Sequence, residues 1–173
     1  MGLSNTVRYR IDPTNMYEDD KLSFQTVNML FSNVDKLEYI CDVDRNYCWQ
    51  NGIISINGQF YYKMIRKITY YNLYNDLRSY QLIEIHNKLN EFIEKNEKCL
   101  NDMEEFIEKN GIYWVNDVNE LLETYKETNS YYLLSHYLDL TDNVNFIFPN
   151  YIKILCQLFK VIAENNLCLS ASY

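Results

Sequence analysis

The sequence predicts a mainly α fold: a single compact bundle of about six helices, with a short N-terminal strand or hairpin left open. Apolar residues recur at helical spacing along most of the chain. The last such segment, 149–164, is apolar on all but one thin stripe, so we expect it to lie largely buried at the centre of the bundle. A chain of 173 residues fits one domain with one core. We divide it into an extended arm at 1–20, a single helical domain at 21–166 and a C-terminal tail at 167–173.

The first helix is predicted at 22–31, where apolar and polar residues interleave. The acidic run at 18–20 precedes it, and negative charge favours a helix N-terminus. The next stretch, 36–50, is ambiguous. Its apolar residues alternate as in a strand, although a helix is also compatible with them.

Residues 52–69 allow two interpretations. Asn57-Gly58 between apolar runs is the strongest short hairpin signal. The apolar residues that follow nevertheless recur at helical spacing, with polar residues on the opposite face. They are Phe60, Tyr61, Met64, Ile65 and Ile68. We therefore favour a helix at 59–69 that begins at Asn57 or Gly58, and we leave the hairpin open.

The pentapeptide Phe-Ile-Glu-Lys-Asn occurs twice, two heptads apart, in the segment 76–109 and the residue after it. As one helix this segment would be a rod of ~50 Å, whereas a compact chain of this size is ~40 Å across. We therefore interpret each copy as a helix ending with a left-handed Asn cap. A break is expected between Asn96 and Asn101, with Asn101 and Glu104 opening a new short helix. An unbroken helix would instead favour a coiled-coil homodimer, which stays open.

Three further helices complete the prediction. Residues 116–127 form one, with Asn116 or Asp117 as its N-cap. Ser130 caps the next, which covers about ten residues. Pro149 starts the last, because proline is favoured in the first helical turn.

The composition limits the function classes. Lys and Arg number 16 against 24 Asp and Glu, and this net charge of -8 argues against general nucleic-acid binding, which needs clustered cations. The five cysteines are an odd number without a C-x-x-C pair, so we expect reduced core thiols in a soluble, cytoplasmic protein. No run approaches the ~20 apolar residues of a transmembrane segment. Abundant Tyr, Asn, Ile and Lys indicate A/T-rich codons, which are typical of many virus and phage genomes.

Sequence motifs for catalysis or metal binding are not found. His86 and His136 have no Cys, Asp or Glu at ligand spacing in their own helices, so we expect both to be structural or surface histidines. The segment 42–46 resembles the start of a calcium loop, but Tyr47 stands where that loop needs glycine. We therefore predict no enzyme, no cofactor and no metal site.

The segment 46–68 carries a family resemblance. Tyr47 and Trp49 match a Tyr-x-Trp helix end, and a following Gly-x-[Leu/Ile]-Tyr-x-x-[Leu/Met] pattern opens the next helix. The second pattern is matched by Gly58, Phe60, Tyr61 and Met64. In these residues the chain resembles the poxviral immune-evasion proteins with a Bcl-like helical bundle. The resemblance implies a non-enzymatic cytosolic antagonist that binds host signalling or apoptotic proteins through grooves or surfaces.

The leading hypothesis is a virus- or phage-encoded protein-binding factor that blocks a host defence or signalling protein by occupying its surface. Tyrosine is common in binding surfaces because it gives a large contact area at low entropic cost. The candidate partner-binding residues are Tyr61, Tyr62, Tyr70, Tyr71, Glu94, Glu97, Glu104, Glu105 and Glu108.

Two alternatives remain. The five glutamates could form an acidic nucleic-acid mimic that inhibits a nucleic-acid-binding defence protein. Conversely, Lys63, Arg66 and Lys67 beside tyrosines could serve a nucleic-acid-associated viral module. Separately, Gly2 fits the acceptor position of a myristoylation pattern. That pattern often occurs by chance and one acyl chain gives only marginal membrane binding, so we expect no lipidation.

Overall fold

The computed structural model describes residues 2–11, 21–41 and 50–173. Within these ranges it contains seven α-helices, a short 3-10 turn and three short strands. The helices are α1 Phe24–Phe31, α2 Gly58–Thr69, α3 Ser79–Lys95, α4 Glu97–Lys109, α5 Val118–Thr124, α6 Ser130–Leu140 and α7 Pro149–Glu164. The strands are β1 Ser4–Arg8, β2 Ser55–Ile56 and β3 Cys168–Ser172, and the 3-10 turn is Leu37–Tyr39. The predicted mainly α fold with a short strand is confirmed.

Helix α7 lies at the centre of the core, as its apolar sequence predicts. It packs mainly against α3, which contributes Leu82, Ile85 and Leu89 to the interface side. Eight residues of α7 are buried, among them Phe159. Pro149 occupies the first helical turn, where its missing N–H costs no hydrogen bond.

The segment around Asn57-Gly58 forms a helix start and not a hairpin. The side chain of Asn57 accepts a hydrogen bond from the backbone N–H of Phe60 at 3.1 Å, which caps α2. Gly58 is needed for close packing, because a Cβ there would lie 1.9 Å from Oδ1 of Asn5 on β1. The helix predicted at 59–69 from the spacing of apolar residues is confirmed. The Asn57-Gly58 pair is explained without a hairpin, because Asn57 caps the helix and Gly58 allows the close contact with Asn5.

The long apolar rhythm is broken at Asn96, as predicted, between α3 and α4. Two details of the prediction are wrong. The second helix begins at Glu97, so Asn101 lies inside it and opens nothing. Asn96 and Asn110 also have negative φ angles of -111° and -97°, so neither adopts the left-handed conformation.

Each Asn of the repeated pentapeptide instead caps its helix through its side chain. Asn96 Nδ2 donates to the carbonyl of Phe92 at 2.9 Å, and Asn110 Nδ2 donates to that of Phe106 at 2.8 Å. Asn165 does the same at the end of α7. The repeat therefore encodes one local device, which adds a side-chain hydrogen bond to a carbonyl of the last turn that also accepts the backbone N–H of the same Asn.

The remaining caps agree with the predictions with one exception. Asp117 caps α5 by accepting from the N–H of Asn119 at 2.9 Å. Helix α6 begins at Ser130, but its N-cap is Asn129 and that residue makes no side-chain capping bond. Residues 42–49 lie outside the described residues, and with them the ambiguous stretch after Cys41.

The strands form one antiparallel sheet in the order β2-β1-β3. Ser4 pairs with Ser172 and Arg8 with Cys168, so β1 and β3 match along their whole length. The sequence prediction places residues 4–8 in the extended arm and 168–172 in the C-terminal tail. In the structure the two segments pair with each other, and Val7 and Leu169 are buried against the helices.

Candidate functional site

An open groove of about 750 Å³ lies on the described part of the chain. Three segments line it, namely 35–39 around the 3-10 turn, 104–113 at the end of α4 and 148–157 at the start of α7. These segments are distant in sequence, so no local pattern could place them together. We call this surface the aromatic groove.

Several aromatic side chains line the groove. The ring of Tyr39 lies 6.4 Å from that of Tyr151, with an angle of 22° between the planes. Tyr151 also packs against Phe148, at a centroid distance of 5.3 Å. Tyr39 is 54% exposed and Tyr113, at the rim, is 87% exposed. Aromatic faces are therefore available to a ligand on more than one side of the groove.

The loop after α4 continues this exposed aromatic surface. Trp114, which follows Tyr113, is 72% exposed. Large aromatic side chains at this exposure bury little apolar area in the isolated molecule, and Trp and Tyr are enriched where proteins bind each other. Ile107 and Ile112 beside the groove are only half-buried, so the apolar surface is continuous.

Both positively and negatively charged side chains line the groove. Among the described charged lining residues, most of those without an ion-pair partner are acidic. Glu104 bonds to Lys153 at 3.0 Å, and this pair neutralises itself. Asp35 and Glu108 also line the groove, and neither forms an ion pair with any residue that the structure describes. Lys36 is the one further cation among the lining residues in the described ranges.

Lys36 has a backbone conformation that is unusual for a residue with a side chain. Its φ and ψ are 58° and 26°, in the left-handed region. Such strain costs about 1 kcal/mol or more in non-glycine residues and is often found at functional sites. Here the turn carries the chain from Asp35 to the 3-10 turn that presents Tyr39, so both side chains reach the same groove.

The four predicted tyrosines lie elsewhere, on and after α2, and only one of them is strongly exposed. Tyr61, which we expected at a binding surface, is part of the core and only 3% exposed, because its ring packs beside Phe60. Tyr62 is half-buried against Tyr74. Tyr70 is 83% exposed.

Tyr71 is held by its neighbours. Its hydroxyl donates a hydrogen bond to Glu84, and this bond raises the pKa of Tyr71 to about 12. The ammonium group of Lys88 lies 5.3 Å from the ring centre of Tyr70 and 5.5 Å from that of Tyr71. The same group donates to the carbonyl of Thr69 at 3.1 Å, which satisfies the end of α2.

The predicted basic residues are all exposed on one helix. Lys63 lies near the ring of Tyr62, at 5.9 Å, and Lys67 donates to the backbone carbonyl of Asp139. Arg66 lies between them in sequence, one turn from Lys63. Part of this positive charge therefore already serves intramolecular contacts.

The predicted glutamates do not form one continuous row. Glu94 belongs to α3 and accepts from Asn90, whereas the other four belong to α4 beyond the break. Glu104 and Glu108 line the aromatic groove, and Glu105 does not. Of all predicted site residues, these two glutamates alone reach the groove.

The structure brings together one pair that sequence spacing did not indicate. Nδ1 of His86 lies 2.8 Å from the carbonyl oxygen of Cys156 and 3.3 Å from its Sγ. Burial raises the pKa of the Cys156 thiol to about 11, so the group is a neutral thiol near pH 7 and a poor nucleophile. The pair is a packing and hydrogen-bonding contact between α3 and α7.

Other predicted chemical features can be placed briefly. Cys99, Cys156 and Cys168 are free thiols in the described ranges. Gly2 is exposed, but Leu3 beside it is buried. No group of three or more His, Cys, Asp or Glu side chains is arranged for a metal within 2–11, 21–41 and 50–173. In the same ranges none of the helices has the length and hydrophobicity needed to cross a bilayer.

Comparison of the chain with protein-family models, with curated proteins and with solved structures gives no match. The resemblance to the poxviral Bcl-like proteins therefore stays a prediction. Its first motif, at Tyr47 and Trp49, lies outside the described residues. Its second motif coincides with the start of α2, where Gly58 and Tyr61 have the packing roles given above.

Proposed function

We propose that this protein is a non-enzymatic binding factor that holds a short basic segment of another protein in the aromatic groove. The observation that supports this most directly is the groove itself. It combines about 750 Å³ of open volume with exposed tyrosine rings and unpaired carboxylates. Apolar and aromatic surface supplies affinity, and the charge on the rim selects the partner.

The charge distribution favours a basic partner over a second copy of the chain. The sequence has a net charge of -8, and a two-fold dimer through this groove would bring together two surfaces that both carry the carboxylates of Asp35 and Glu108. Like charges placed opposite each other oppose association. A segment with Lys or Arg next to an apolar residue matches both the rim and the rings.

A random peptide library displayed on phage tests this proposal. The library is selected on the wild-type protein and the enriched clones are then measured on Tyr39→Ala and Tyr113→Ala. Tyr132→Ala is the matched control, because Tyr132 is 79% exposed on α6 and does not line the groove. We expect clones that carry basic residues, bind the control variant normally and lose about tenfold or more in affinity on the groove variants.

Three results would contradict the proposal. Clones that bind all four proteins equally would place the binding surface elsewhere. Failure to enrich any clone above a selection on the Tyr39→Ala, Tyr113→Ala double variant would mean that the groove takes no peptide. Sedimentation of the wild type as a dimer, lost in Tyr113→Ala, would replace the basic partner by a second copy.

The narrower hypothesis, a virus- or phage-encoded antagonist of a host defence protein, is compatible with this mode of binding. It rests on the codon bias and on the resemblance to the poxviral proteins. Identifying the bound partner would test it. The nucleic-acid mimic is less well supported, because Glu104 is paired with Lys153 and the carboxylates are divided between two helices.

The basic residues of α2 support a second candidate function, a nucleic-acid-associated module. Exposed Lys63 and Arg66 and the exposed ring of Tyr70 provide cations beside a stacking surface. A gel shift with single-stranded DNA at 50 mM and 200 mM salt is the test, with Lys63→Gln, Arg66→Gln as the variant. Absence of binding at the lower salt concentration removes this candidate.

A further inference from the structure

We propose that the group recognised in the aromatic groove is an arginine side chain, stacked on the ring of Tyr39 and paired with the free carboxylates. This inference rests on the proposed function and specifies its chemistry. A guanidinium is planar, stacks on aromatic rings and binds carboxylates through two parallel N–H donors. A lysine ammonium shares the charge but neither the plane nor the paired donors.

The rings are arranged for a flat cation. Tyr39 and Tyr151 are within 22° of parallel, and Tyr39 is 54% exposed, so one face of a nearly parallel pair is accessible to a ligand. Burial raises the pKa of the Tyr151 hydroxyl, so this ring stays neutral at physiological pH. A neutral phenol ring presents a negative face, which attracts a cation placed over it.

The carboxylates that remain free complete the site. Asp35 stands on the turn before Tyr39, and Glu108 lies on α4 across from it, both lining the same groove. Glu104 is already satisfied by Lys153 at 3.0 Å. The groove therefore keeps two negative charges for a ligand and one positive charge, that of Lys36, against it.

An anionic ligand is the competing possibility, since the N-terminus of α7 opens into the groove. Its first turn offers few donors, however. Pro149 has no N–H, and the N–H of Tyr151 donates to the carbonyl of Phe148 at 2.9 Å. A helix N-terminus attracts anions through such N–H groups, so here the dipole has little to bind with.

The probes are three capped tripeptides, acetyl-Leu-X-Leu-amide, in which X is arginine, lysine or citrulline. Citrulline keeps the planar shape of arginine and removes the charge. Titration into the full chain with ¹³C-labelled tyrosine rings is followed by NMR. We expect saturable shifts of Tyr39 and Tyr151 with the arginine probe, and affinities about fivefold weaker with lysine and with citrulline.

Variants that remove one charged side chain from the groove show whether the bound group is positive or negative. Glu108→Gln should weaken the arginine probe and Lys36→Gln should strengthen it, each by about twofold. Tyr39→Ala should remove the preference for arginine over lysine, while Tyr132→Ala should leave it unchanged. Circular dichroism of each variant checks that it is folded.

Equal affinity for the arginine and lysine probes, or no shift of the groove tyrosines at any probe concentration, would overturn the inference. Tighter binding of the citrulline probe, or weaker binding by Lys36→Gln, would overturn it in favour of a neutral or anionic ligand. These outcomes are separate from the library experiment. Groove-dependent clones without arginine would sustain the proposed function while the present inference fails.

Discussion

Replacing Gly58 by alanine tests how the first turn of α2 is built. A Cβ at this position would lie 1.9 Å from Oδ1 of Asn5 and 2.9 Å from Cγ of Leu3. Neither neighbour has room to retreat, because Asn5 is fully buried and Leu3 is only 2% exposed. Something in the contact between β1 and α2 must therefore move.

The side chain that must move holds a buried hydrogen bond. Nδ2 of Asn5 donates to the carbonyl of Leu73 at 2.7 Å. Losing this bond costs about 1 kcal/mol, and leaving the carbonyl buried without a partner adds about 1–3 kcal/mol. Alanine favours helix over glycine by about 1 kcal/mol. We therefore expect Gly58→Ala to lower the free energy of unfolding by about 1–3 kcal/mol.

Urea unfolding followed by circular dichroism measures this change, and the midpoint of thermal unfolding should fall by about 2–12 °C. Gly2→Ala is the control, because a Cβ there would be at an ordinary 3.7 Å from Gln59. Asn5→Ala should cost stability alone but make Gly58→Ala less harmful, with a coupling energy of about 1 kcal/mol or more. A Gly58→Ala variant as stable as the wild type would refute the close-contact explanation.

Three further predictions concern stability. Lys36→Gly should raise the free energy of unfolding by about 0.5 kcal/mol, since glycine accepts the left-handed φ of 58° at no steric cost but loses more entropy on folding; a loss in urea unfolding would contradict this. Asn96→Ala and Asn110→Ala should each cost about 0.5–1.5 kcal/mol through the lost bond to the preceding turn; melting temperatures equal to that of the wild type would show that water replaces both bonds. The pKa of the Cys156 thiol is raised from 9.0 to about 11, so its stabilising contribution is complete below pH 9 and is lost as the pH rises towards 11. Wild type should therefore lose more stability over this interval than Cys156→Ala, and parallel pH profiles would argue against the shift.

Local chemistry explains what could be predicted from sequence. Three features depend only on residues close together in the chain. The helix of 59–69 depends on the spacing of its apolar residues, and the break at Asn96 depends on a capping residue. The helix that starts at Pro149 depends on the proline ring. The left-handed cap predicted for Asn96 is wrong, because this residue has a φ of -111° and bonds to the carbonyl of Phe92 through both its backbone N–H and its side chain. Sequence patterns identify the place of a helix end more readily than its geometry.

The features that could not be predicted depend on contacts between residues that are far apart in the chain. The pairing of β1 with β3 joins Arg8 to Cys168, and neither segment has a pattern that names the other. The aromatic groove likewise combines Tyr39 with Tyr151. Abundant tyrosine predicted a binding surface, but composition does not show which rings are exposed, and Tyr61 is in the core while Tyr113 is not.

The position of β1 in the sheet has a consequence for the order of synthesis. β1 is the middle strand, and one of its two neighbours, β3, begins only at Cys168. While the ribosome makes everything between, that edge of β1 has N–H and C=O groups with no sheet partner. Exposed edges of this kind pair readily with other chains. A nascent chain that stops before Cys168 is therefore more exposed to aggregation than one in which β3 has paired with β1.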